Sequence, residues 1–429
     1  MNFASLSSQF FVSLSRLCRL RIMVGVVMGI MGIANVCAQR QVVYHERIAS
    51  LQVVAGTNWQ EMPIAELGGD SIHVSFDEMS HDNHRYIYKV EHCEADWTVS
   101  QGVFGSDFVE GFNDDLLIED NGQSMNTNRL YTHYSLTIPN EQCRIKMSGN
   151  YQLTVFDEDD KGEPILKTCF MIVEPSVKVT LHASANTDMD VNKSHQQVSM
   201  QVDLGQLHVT HPQEQVKTVV VQNGRWDSAV LCPKPDFVTA DKLQWLHVKS
   251  LIFPAGNVYR KFEMLDMNHA TMGLDDVKWD GEDFHAFVQS ALPRPSYVYD
   301  EAPHGAFYIR NSDNVENDVA TDYAWVHFVL KAPRQEENVY LNADWTLDSY
   351  QPTYQMLYND SLKCYVGTVL LKQGYYSYRY VVRHGNGSIE QLPTEGNFFQ
   401  TKNTYQALVY FRGSHERTDR LVGYAKCCN

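Results

Sequence analysis

The chain has 429 residues and a formal charge of −17, from 35 Lys and Arg against 52 Asp and Glu. An acidic excess without a basic stripe argues against nucleic-acid partners and against attachment to anionic lipid. The length leaves room for about two to four domains, and 23 Tyr with 19 Phe is the aromatic wealth expected of β-sandwiches and binding surfaces.

Residues 1–38 read as an export signal. Arg16, Arg19 and Arg21 make a basic start, Ile22–Ala34 is almost wholly apolar, and Val36-Cys37-Ala38 precedes a cut at Gln39. The apolar run falls short of the roughly 20 residues that span a bilayer, so a soluble exported protein is expected, with no direct membrane insertion. Cys93, Cys143, Cys169, Cys232, Cys364, Cys427 and Cys428 follow the cut at irregular spacing. A bridge between Cys143 and Cys169 is conceivable, but small buried apolar roles suit most of them better. Cys427-Cys428 reads as an exposed tail.

Period-two alternation then recurs along the chain. Ile72, Val74 and Phe76 share one face, as do Tyr86, Tyr88 and Val90, and as do Tyr151, Leu153 and Val155. Long helical periodicity is missing, which predicts an all-β fold of tandem immunoglobulin-like β-sandwich domains. Val173-Glu174-Pro175 sets a first boundary, and the polar, acidic stretch Ser312–Asp322 reads as a second linker or a long loop. The expected units are therefore 39–175, 176–318 and 319–429. In the last, Tyr376, Tyr378, Tyr380 and Val382 share a strand face before a Gly385-Asn386-Gly387 turn. This order resembles the immunoglobulin-like modules attached to glycogen- and starch-active enzymes.

Chemistry is sparse. There is no nucleophile elbow, zinc-protease helix, phosphate loop or dinucleotide fingerprint. His92 and Cys93 are adjacent, and neighbours in a strand point to opposite faces, so they cannot act together. The run Asp157–Glu163 suggests part of a calcium loop, but Lys161 stands where a ligand is needed, favouring a hairpin tip. His81 and His84 sit in a polar turn. No metal, cofactor or small-molecule substrate is expected. Trp345 with Tyr350 offers rings either for stacking on sugars or for the core of a sandwich.

Several clusters carry a family resemblance. His92-Cys93-Glu94-Ala95-Asp96-Trp97, Glu110-Gly111-Phe112, Ser124-Met125-Asn126-Thr127 and Ser148-Gly149-Asn150-Tyr151 lie in the first unit. Gln222-Asn223-Gly224-Arg225-Trp226-Asp227 and Phe253-Pro254-Ala255-Gly256-Asn257 lie in the middle. Leu371-Lys372-Gln373-Gly374-Tyr375-Tyr376 and Asp419-Arg420-Leu421-Val422-Gly423-Tyr424 lie near the end. Together these resemble the plug protein family of the Bacteroidetes type IX secretion system. Ala255 departs from an expected second Gly, and Val258-Tyr259 from a more polar pair. The resemblance implies a non-enzymatic periplasmic protein, held at the outer membrane through a large translocon β-barrel, whose mouth it binds and seals when no cargo is engaged. Loops including Trp97–Phe112 are expected to supply contacts, with Trp97, Phe104, Phe108 and Phe112 as anchors. The alternative is a periplasmic glycan-binding module using Trp345 and Tyr350.

Overall fold

The computed structural model describes residues 41–429 except 83, 206 and 302, so the export-signal reading of 1–38 lies outside it. Among the described residues the chain is all-β, as alternation predicts: the helical pieces there are single turns such as Gly105–Phe108 and Pro212–Gln215. Among the described residues no helix is long and apolar enough to cross a membrane.

Two sheets open the chain. In one, Gly149–Asp157 pairs antiparallel with Tyr86–Cys93 and with Pro164–Val173. In the other, Ile72–Glu78 lies between Ile48–Ala55 and Thr132–Ile138. The three triplets that alternation singles out all point into the core between these sheets. Phe76 stacks on Tyr134 and Tyr151 on Phe170, each with centroids 5.3 Å apart, the offset geometry that aromatic pairs favour.

The same first sheet has a second covered face. Cys93, Cys169, Met171 and Val173 pack against Val219, Val221, Leu408 and Tyr410 of a following sheet. A strand buried on both sides needs no alternation, which explains the unbroken run Cys169-Phe170-Met171-Ile172-Val173. Cys143 belongs to the first core and Cys169 to the second, and the conceivable bridge between them is not formed.

The following sheet joins Arg225–Leu231, Val216–Gln222, Thr404–Phe411 and Arg420–Cys428. It packs in turn on Lys178–Ser184, His195–Asp203 and Lys242–Trp245, with Val198, Met200, Val202 and Trp245 facing Val220, Ala407 and Val409. Four sheets are thus stacked with three apolar cores between them. The remaining strands, from Arg260–Met264 to Ile389–Gln391, form one ten-stranded sheet that closes on its own core.

Pairing crosses the expected division at 318/319. Val216–Gln222 pairs with Thr404–Phe411, so the end of the chain completes the middle sandwich. Arg260–Met264 and Phe307–Ile309 pair with Gly374–Arg383, so these strands belong to the later sheet. That sheet is an insertion into the middle sandwich rather than a unit that follows it. Composition misses this because strand partners distant in sequence leave no local mark. The polar stretch Ser312–Asp322 is a pinned loop, not a linker: Met125 N–H donates to the Val319 carbonyl at 2.8 Å and Lys372 Nζ to the Asp318 carbonyl at 2.8 Å. Cys427 and Cys428 close a paired strand instead of forming a tail, and Cys427 packs against the middle core.

Candidate functional site

Of the four anchors expected in the first unit, two face inward. Trp97 occupies a left-handed turn position (φ 68°) and is 6% exposed. Its ring meets Trp226 edge-on at 5.3 Å, so it wedges the first unit onto the next sheet. Phe108 lies in the first core beside Tyr151. Burial therefore removes Trp97 and Phe108 as partner anchors. Phe104 and Phe112 are 71% and 70% exposed, and the backbone brings them together. Gly105 abuts Asn113 so tightly that a Cβ there would lie 2.0 Å from Asn113 Oδ1. The contact of their chain neighbours Gly105 and Asn113 places both exposed rings in the same loop region of the first unit.

The glycan pair is not a stacking platform. Trp345 is 6% exposed, its Nε1 donates to the Ser377 carbonyl at 3.0 Å, and its ring lies 5.9 Å from Tyr376. Tyr350 is half-buried, and its hydroxyl donates to Asp227 at 3.3 Å. The acidic run forms the turn between Gly149–Asp157 and Pro164–Val173, and Lys161 there reaches back to Asp115 at 2.8 Å. His81 bonds to Ser124 and His84 to Glu78, so the two imidazoles serve different partners. His92 bonds to Ser100 while Cys93 joins the opposite core, as alternation requires.

A feature that sequence reasoning missed is a cleft of about 590 Å³ where the first unit, the middle sandwich and the inserted sheet meet. One wall is a row across three strands, because Glu263 pairs with Tyr375 and Tyr375 with Tyr308. Directly opposed residues share a face, so a carboxylate and two phenols line up. Trp59 covers them, stacked on Tyr308 at 5.3 Å and edge-on to Tyr375 at 5.9 Å. The far wall holds Asp344, Leu347 and Asp348.

Charge in and behind that wall is unevenly matched. Arg225, 3% exposed, bridges Asp227 and Asp348. Burial alone would push the Asp227 carboxyl up, but Arg225 and Arg379 bring it down to about 2. Asp344 has no such ion pair among the described residues, and its side chain opens to the cleft. His304 is pushed down to about 4 by burial and by Arg379, so it is neutral at physiological pH. The sequence signal that was there to find is Trp59 itself, a large ring in the polar run Gly56–Glu61.

Comparison with known families matches residues 48–174 to the type 9 secretion system plug protein 1st domain. A crystal structure of a hypothetical protein from Parabacteroides merdae is 35% identical, with a TM-score of 0.88, covering 91% of this chain and all of that one. Residues 48–174 thus match the first domain of the type 9 secretion system plug family. No curated protein matches. The matched span holds the first sandwich with Phe104 and Phe112, and it ends at Glu174, just after the strand that closes that sheet. The match over the first sandwich points to a role in type 9 secretion.

Proposed function

We propose that this plug-family chain is a non-enzymatic periplasmic stopper. It binds the periplasmic mouth of the large outer-membrane translocon barrel of the type 9 secretion system and seals it when no cargo or carrier is engaged. The family match over the first sandwich carries the reading. The build of the body supports it. A pore wide enough for folded cargo needs a stiff occluding mass, and four stacked sheets with three apolar cores provide one. Loops at sandwich ends supply the adaptable contacts.

Reversible sealing calls for an interface of roughly 1,200–2,000 Å² with a few apolar anchors inside a polar rim. Phe104 and Phe112 are the sequence-expected anchors that reach solvent. Affinity capture of the tagged chain from outer-membrane extracts should recover a giant β-barrel, and deleting the gene should admit large antibiotics. Phe104→Glu with Phe112→Glu should reduce barrel recovery at least about tenfold, since central anchors each carry about 2 kcal/mol, with the melting temperature unchanged. A wild-type capture without a barrel, together with an unaltered permeability barrier, would sink the reading. The glycan alternative loses its principal ring to the core, since Trp345 packs inside the inserted sheet.

A further inference from the structure

The cleft at the meeting of the three units has a chemistry that the stopper role does not use. Its lining includes five carboxylates, of Glu61, Glu263, Glu301, Asp344 and Asp348, against the cations of Arg310 and Lys426. Two of the acids are neutralised, Glu61 by Lys426 and Asp348 by Arg225. Glu263, Glu301 and Asp344 make no ion pair among the described residues, which leaves a local excess of negative charge. Low-dielectric walls concentrate the field of such an excess inside a concavity.

Beside these carboxylates stand three half-buried rings, Trp59, Tyr308 and Tyr375. Aromatic faces attract cations through the ring quadrupole, Trp most strongly, and attract them more when water is excluded. Inorganic divalent ions are a poor match. They want several clustered oxygens, and no group of three or more metal-capable side chains is close enough among the described residues. Glu263 lies on a strand, Glu301 in a loop and Asp344 in a short 3-10 turn, spread around the cavity as a larger ligand requires. The space of about 590 Å³ is within the ordinary range for small-ligand pockets.

We propose that this cleft is a binding site for an organic cation, an ammonium or guanidinium group held over Trp59, Tyr308 and Tyr375 and paired with Glu263, Glu301 and Asp344. The group arrives either on a free polyamine or on a Lys or Arg side chain of a peptide. Asp344, which has no ion pair among the described residues, gains a counter-charge when the site fills. This inference stands apart from the stopper reading, since it concerns a different face and a different class of ligand.

Titration calorimetry on the full mature chain tests it, with spermidine as the free cation, Gly-Arg-Gly and Gly-Lys-Gly as the peptide-borne cations, and Gly-Gln-Gly and maltotriose as neutral probes. At least one cationic probe should bind, with neither neutral probe matching it, and whether spermidine or the peptides bind tighter identifies the source. Glu263→Gln and Trp59→Ala, each checked for an unchanged melting temperature, should each weaken that binding about tenfold. Arg417→Gln, far from the cleft on the loop that meets Gly102, should leave it unchanged. The proposal is overturned if no cationic probe binds, if maltotriose or Gly-Gln-Gly binds as tightly, or if both folded cleft variants retain wild-type affinity.

Discussion

Lys372→Met should destabilise the protein by about 3–5 kcal/mol, the usual result of stripping one partner from a buried ion pair. Lys372 Nζ lies 2.6 Å from Asp77, and both side chains are 1% exposed. The pair joins the inserted sheet to the first sandwich. Asp77 also accepts hydrogen bonds from Tyr323 at 2.6 Å and faces His133 Nδ1 at 2.6 Å. Removing the ammonium leaves a carboxylate that is 1% exposed, and the aromatic neighbours Tyr131 and Tyr323, which Lys372 also overlies, cannot neutralise it. A urea midpoint shift measures the loss. Asp77→Leu added to Lys372→Met should recover much of it, because an apolar pair of similar bulk avoids the charge problem.

The same pair dictates a pH signature. Burial by itself would push Asp77 up, but Lys372 and His133 hold it below its ordinary value of 3.8. A carboxyl with a depressed folded pKa contributes stability above its unfolded value and loses it as pH falls through the folded one. The gap between wild type and Lys372→Met should therefore be widest where Asp77 is ionised in both proteins, and shrink as pH falls through the raised carboxyl value of the variant toward the depressed one of the wild type. A gap that stays constant into acid would show that the loss comes from packing and not from charge.

Glu395→Gln should have an effect of similar size, again about 3–5 kcal/mol. Glu395 is wholly buried and accepts from Arg260 Nε at 3.0 Å and from Arg294 Nη2. Those arginines also donate to the carbonyls of Leu292 and Val258. One carboxylate thus fixes the segment that leaves the middle sandwich and the turn that returns to it. Neutralising it sets two guanidiniums side by side with no counter-charge. Glu395→Gln combined with Arg294→Met should be more stable in urea than Glu395→Gln alone. A single variant within 1 kcal/mol of wild type would show that water reaches the cluster and that the charges are screened.

Much of the first sandwich was legible from the residues. Ile72, Val74 and Phe76 can share a face in a strand and cannot in a helix, so their burial followed from spacing alone. Tyr376, Tyr378, Tyr380 and Val382 were legible for the same reason, and all four lie in the core of the inserted sheet. The partner anchors were half legible. Phe104, Phe108 and Phe112 look alike as letters, but the single helical turn Gly105–Phe108 carries Phe108 inward and leaves the other two outside. Trp345 was ambiguous because a tryptophan beside a turn serves a core or a surface equally well; the Ser377 carbonyl beneath its Nε1 decides for the core.

Alternation, turn residues and the plug-family clusters are local properties, written into which side of a strand each side chain occupies. From these the sequence by itself determined an all-β chain, core-facing positions such as Ile72, Val74 and Phe76, and the family resemblance of its first domain. Partnership between strands is not local. Val216–Gln222 finds Thr404–Phe411 nearly two hundred residues later, and Glu263, Tyr375, Tyr308 and Trp59 come together solely because three strands pair and a loop folds across them. Only the tertiary structure decided that the third sheet is an insertion, that Trp97 is a wedge and that a charged aromatic cleft exists. The free energy that selects those pairings is the collective burial of whole sheet faces, which no short stretch of sequence contains.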